Sequence, residues 1–159
     1  MTRAALLLVL VLGLIGPVRA QGSGQQGSQD AKAYCAAVRD DDRVKPIPAA
    51  LVSEAARALE MDDTDWVKRS TVFRCMDGSV WVCNHGANIP CSKANTSRVS
   101  KAVTAYCKKN PGSDVVPMVV TGHDTVHEWR CVGSKPQIVH SEPVDARGFI
   151  ADQWIRLSL

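Results

Sequence analysis

Six cysteines and four histidines are the residues of this 159-residue chain best suited to chemistry. Three of the cysteines, Cys75, Cys83 and Cys91, crowd into "FRCMDGSVWVCNHGANIPC", residues 73–91; Cys35, Cys107 and Cys131 lie outside it. The Cys-x7-Cys-x7-Cys spacing is not the Cys-x2–4-Cys of a structural zinc site. A nucleophilic thiol needs an unpaired cysteine beside a base. An even count in an exported chain points instead to three disulfides. No metal and no cofactor are expected.

Export is read from the first twenty residues. "MTRAALLLVLVLGLIGPVRA" has a basic start at Arg3, an apolar run from Ala4 to Ile15, a breaker at Gly16-Pro17, and small residues at Val18 and Ala20. That is the anatomy of a cleaved signal peptide at 1–20, with an apolar run too short to span a bilayer. A periplasmic or secreted location follows. Cleavage would remove Arg3 and Arg19, lowering the formal charge from +3 to +1. A nearly neutral chain gives no electrostatic case for nucleic acid or an anionic membrane as partner.

Residues 21–31 are rich in Gly, Ser and Gln and read as a flexible leader; residues 32–159 read as one α+β domain. Asp30 can cap a short helix carrying Tyr34 and Cys35. "DDDRVKPIP" reads as a polar turn rather than a calcium loop, because the alternating acids are absent. Pro48 suits the first turn of a helix through Met61, and "DDTDW" ends it. A third helix runs over "NTSRVSKAVTAYCKK", capped by Asn95, Thr96 or Ser97. Asn95-Thr96-Ser97 is also a glycosylation sequon if the source is eukaryotic. "VVPMVVTG", "TVHEWRC", "PQIVH" and "GFIADQWIRL" read as further strands, with turns at Gly122, Gly133 and Gly148. The fold class is therefore α+β: an antiparallel sheet of about four to six strands with two or three helices, stabilised by disulfides.

Residues 71–84 read as a hairpin around Asp77-Gly78. That register sets Met76 opposite Ser79, Cys75 opposite Val80, Arg74 opposite Trp81 and Phe73 opposite Val82. Phe73, Cys75, Val80 and Val82 then share an apolar core face, while Arg74, Trp81 and Cys83 share the other. Cys75 and Cys83 point to opposite sides and cannot bond. Cys83 is left with Cys91, as a clamp on the loop "NHGANIP".

An internal echo bears on the other four. "AYC" occurs at 33–35 and 105–107, and each copy precedes an aromatic-Arg-Cys, Phe73-Arg74-Cys75 or Trp129-Arg130-Cys131. Chance and a diverged duplication both produce such short matches. A duplication would pin each AYC helix to the hairpin after it, as Cys35–Cys75 and Cys107–Cys131. The crossed pairing, Cys35–Cys131 with Cys75–Cys107, stays open, as does the third arrangement. The 73–91 stretch, with "TGHDTVHEWRC" and "VDARGFIADQW", resembles small secreted bacterial proteins of uncharacterised function over most of residues 33–156. The resemblance implies export and a disulfide-bonded domain.

For function, the clamped loop offers Asn84, His85 and Asn88 to a ligand, and the outer hairpin face offers Trp81 and Arg74, stacked as a cation–π pair. Uncovered, that face would be a contact surface. The four tryptophans are otherwise expected in the core, Trp129 included. No Gly-rich phosphate loop or GxSxG motif is present. A non-enzymatic binding or inhibitor module of the cell envelope is the favoured reading, its partner an envelope or extracellular protein or a small ligand. The alternative is an envelope hydrolase or metal-dependent enzyme built from His85, His123, Asp124 and His127. "GHDTVHE" reads as a turn entering a strand. His123 and His127 would then be exposed and about 13 Å apart, too far to share an ion.

Overall fold

The computed structural model describes residues 23–158. The signal peptide expected at 1–20 lies outside the described residues. The chain folds as helix α1 (Ser23–Val38), strand β1 (Asp41–Pro46), a 3-10 turn (Ala49–Leu51), helices α2 (Val52–Ala58) and α3 (Thr64–Ser70), and the hairpin β2 (Thr71–Met76) and β3 (Ser79–Asn84). Helices α4 (Lys101–Lys109) and α5 (Met118–Thr121), the hairpin β4 (His127–Val132) and β5 (Lys135–Ser141), a 3-10 turn (Ala151–Gln153) and strand β6 (Ile155–Arg156) complete it. The antiparallel α+β class is as expected, but the strands form two sheets: a four-stranded one in the order β1-β2-β3-β6, and the separate β4-β5 hairpin.

The β2–β3 hairpin has the register read from its turn, Met76 opposite Ser79 through to Phe73 opposite Val82. Asp77 and Gly78 both take positive φ, 52° and 72°, as a two-residue hairpin turn requires. The inward face is the main core. Phe73, Cys75, Val80 and Val82 pack against Ala31 and Cys35 of α1, Leu51, Val52, Ala55 and Ala56 around α2, and Val67 of α3. Burial of these aliphatic side chains, at roughly 25 cal/mol per Å² of apolar surface, is what holds the helices on the sheet.

Local chemistry corrects several expected elements. Helix α1 starts at Ser23, earlier than an Asp30 cap predicts; no proline interrupts it, and Gln supports helix. "DDRVKP" is an edge strand rather than a turn: it pairs with β2 through a bulge, and its polar composition hides it. Asp63 opens α3 instead of closing α2, its side chain accepting the Trp66 N–H at 2.8 Å. Helix α4 is capped by Ser100, three to five residues later than expected, through the Val103 N–H at 3.2 Å. "PMVVT" is a helical turn, because Pro117 at the N-cap and Gly122 at φ 90° bound it on both sides. The last apolar run forms only a two-residue strand.

Three disulfides form: Cys35–Cys75, Cys83–Cys91 and Cys107–Cys131. This is the arrangement the echo suggested, and the crossed pairings are excluded. Such a set fits a domain of an oxidising, extracellular or periplasmic environment. The echo also has a structural counterpart. Each AYC helix is bonded to the first strand of the hairpin that follows, and each unit runs helix, edge segment, proline-started helical turn, hairpin. In the second unit the edge segment is 113–116, bonded to β4 by Cys131 N–H to Ser113 O (2.7 Å) and Val116 N–H to Trp129 O (2.8 Å). Val103, Cys107, Val116, Trp129 and Cys131 form its smaller core.

In the chain-entropy account the loops of 40, 24 and 8 residues are worth about 4, 3.5 and 2.5 kcal/mol. Paired Cys→Ser variants should therefore lose stability in the order Cys35/Cys75, Cys107/Cys131, Cys83/Cys91, as read from urea midpoints. The reverse order would place the stabilisation in the native contacts instead.

Candidate functional site

The clamped loop proves to be largely self-contained. Asn84 Nδ2 donates to Ser70 Oγ and Thr71 Oγ1, both at 2.8 Å, so its amide braces the sheet end instead of facing a ligand. The His85 N–H donates to Ser70 O at 2.7 Å, and Gly86 and Ile89 bond each other across the turn. The His85 and Asn88 side chains are exposed. The disulfide fixes the loop, and only these two of the three candidate polar residues project from it.

The outer hairpin face is not a contact surface, because the C-terminal segment covers it. Phe149 and Trp154 pack there against Cys83 and Cys91, with Val72 and Trp81 alongside. Arg74 is fully buried. Its guanidinium carbon lies 4.1 Å from the Phe149 ring centre and 4.6 Å from that of Trp154, so the cation–π partners are these rings and not Trp81. Arg74 Nη2 donates to Asp145 Oδ2. Burial lowers the Arg74 pKa, and the Asp145 charge opposes that shift. Asp145 Oδ1 also accepts the backbone N–H groups of Arg147 (2.8 Å) and Phe149 (3.1 Å). Trp81 is half-buried, its indole N–H donating to Met76 O at 3.2 Å. Trp129 and Trp154 are core residues as expected, whereas Trp66 is 43% exposed.

A second ion cluster ties the same segment to β1. Asp42 accepts from Arg147 Nε at 2.9 Å and pairs with Lys93 Nζ at 2.7 Å. The Arg147 hydrogen bond, with Lys93 adding to it, holds the Asp42 carboxyl below the ordinary carboxylate range. A depressed folded-state pKa contributes stability above the unfolded value of about 3.9, and loses it as pH falls through the folded value.

The histidines do not assemble into a catalytic set. His127 is buried, not exposed as the strand reading had it. Its Nδ1 lies 2.7 Å from Ser141 Oγ and its Nε2 3.2 Å from Thr96 O, so both ring nitrogens are engaged in joining β4, β5 and the segment before α4. Its ring meets Trp129 edge-on at 5.8 Å. His85 and His123 are exposed. Among the described residues no three His, Cys, Asp or Glu side chains are placed to hold a metal ion.

What the second unit offers is a groove. The first hairpin is buried on both faces, whereas β4 alternates strictly between buried and exposed residues. The outward side chains of β4, Glu128, Arg130 and Val132, have no covering segment like the one over Arg74. Beside them a groove of about 410 Å³ runs past α5 and the start of β4, lined by Val115, Val116, Pro117, Met118, Thr121, Val126, His127, Trp129 and Val139. Asp114, Glu128 and Glu142 add three carboxylates, and Thr125 completes the lining. Val115 (69% exposed), Val119 (86%) and Val139 (49%) leave apolar surface open in and around it. Of these residues the sequence singled out His127 as a candidate site residue and Trp129 as core. The available signal was "VVPMVV", an apolar run whose proline prevents its burial as a strand.

Comparison with protein-family models, with curated proteins and with solved structures finds no match. No helix among the described residues is long and apolar enough to cross a membrane.

Asp145→Ala would leave the Arg74 charge buried without its acceptor and should cost about 3–5 kcal/mol. Arg74→Met keeps the packing between two rings and leaves Asp145 its backbone donors, so it should cost less; equal losses in urea unfolding would contradict this ranking. Asp42→Asn should weaken the domain at neutral pH and flatten its loss of stability as pH falls below about 5. An unchanged acid limb would show that Asp42 is not a source of that loss.

Proposed function

We propose that the protein is a non-enzymatic binding module of the cell envelope or extracellular space, in which the first unit is the frame and the second presents the binding face. The observation that carries this is the contrast between the two hairpins. One has both faces buried, and the other leaves an apolar groove open beside exposed Val115, Val119 and Val139. Apolar side chains grouped on a domain this size, rimmed by charge, mark an interaction site more often than idle surface. Three disulfides, two in the frame and one in the second unit, keep both rigid and lower the ordering cost of binding. The role of each ring nitrogen of His127 in holding strands together weakens the hydrolase or metal-enzyme alternative based on His85, His123, Asp124 and His127.

A pull-down from the source envelope extract, with the tagged mature domain and its Met118→Asp and Asn88→Asp variants, tests this. The reading expects a partner retained by the wild type and by Asn88→Asp, and lost from Met118→Asp. Retention by Met118→Asp with loss from Asn88→Asp would move the site to the clamped loop.

A further inference from the structure

We infer that the groove receives a short peptide segment in which a basic side chain stands beside apolar ones; this rests on the binding reading above and specifies the ligand. The groove's size, about 410 Å³, suits a few side chains rather than a folded surface. Its apolar lining includes Met118, Val126 and Trp129, and three carboxylates, Asp114, Glu128 and Glu142, stand around it. The chain expected after cleavage is nearly neutral, at +1, so three carboxylates give this rim a local negative charge. His140 Nε2 lies 3.4 Å from Glu142 Oε1, and both side chains are about half exposed. A lysine or arginine reaching over the apolar floor would bring its charge to these acids while its methylenes stay in contact with valine and methionine. An acidic segment or a nucleic-acid backbone would meet repulsion.

The ligand is a chain and not a small cation because the apolar surface continues past the cavity. Val119, 86% exposed, follows the lining residue Met118 on α5 and lies outside the cavity, while Val139, 49% exposed, lines it from β5, so a ligand that touches both must span two elements. His127 adds no free ring nitrogen, so recognition falls to apolar contact and to the carboxylates.

The test uses the isotope-labelled mature domain and four defined probes: capped hexapeptides of alternating leucine and lysine, leucine and glutamate, or serine and lysine, and spermine. The leucine–lysine peptide should shift the amides of 115–121 and 126–129. Its affinity should fall about ten-fold or more in the triple variant Asp114→Asn, Glu128→Gln, Glu142→Gln, and fall again as salt rises from about 50 to 500 mM. Glu128→Lys, a single change on the surface, should weaken leucine–lysine binding and narrow its advantage over leucine–glutamate. Equal groove binding of the leucine–lysine and leucine–glutamate peptides would overturn the charge inference and leave the binding reading standing. Equal binding of spermine or of the serine–lysine peptide would overturn the requirement for apolar residues. Absence of groove shifts with every probe would overturn the inference, and the Met118→Asp pull-down then decides the binding reading independently.

Discussion

The buried guanidinium of Arg74 is the interaction around which the larger unit closes. A cation without exposure would be costly in an apolar interior. It is accommodated by one carboxylate, Asp145, and by two aromatic faces, Phe149 and Trp154. All three come from the segment after the second hairpin, so the far end of the chain must fold over the outer face of the first sheet to satisfy a residue on β2. Asp145 then does two things at once: it pairs the charge and, through the N–H groups of Arg147 and Phe149, shapes the turn that delivers Phe149. The same turn lets Arg147 reach Asp42, so the acids after α1 become part of the closure.

Against that closure the second unit is the simpler one. It has the same helix-to-strand disulfide and the same order of elements, but Arg130 at the Arg74 position is exposed and bonds only across its own hairpin, to Gln137 at 2.7 Å. The stretch between AYC and Arg-Cys is also shorter, 24 residues from cysteine to cysteine against 40. One unit thus has two buried faces and the other has one. The contrast assigns stability to the first and exposed apolar surface to the second.

Legibility in the sequence followed the range of the interactions involved. The register of β2 and β3 depends on two adjacent turn residues and on side-chain alternation, and it was readable to the residue. The Cys83–Cys91 clamp followed from that parity. The echo suggested the other two disulfides but left the crossed pairings open, and only the fold decides between them. Strand β1 was hidden because an edge strand facing solvent carries no apolar period. Helical turn α5 was hidden because its valines suggest a strand while Pro117 forbids one. The burial of Arg74 depends on a partner 71 residues away, and an arginine next to tryptophan gives no hint of it. The groove was least legible of all, since its lining comes from three separated segments whose meeting only the fold specifies.

The central claim is that the second unit's groove, and not the disulfide-clamped loop, is the face that meets a partner. Site-specific photo-crosslinking tests it most directly, with a photoreactive amino acid placed in turn at Val119 beside the groove and at Asn88 on the loop, in the domain expressed in its own compartment. The account predicts a discrete adduct from position 119 that disappears with Met118→Asp, and none from position 88. An adduct from position 88 alone would contradict it.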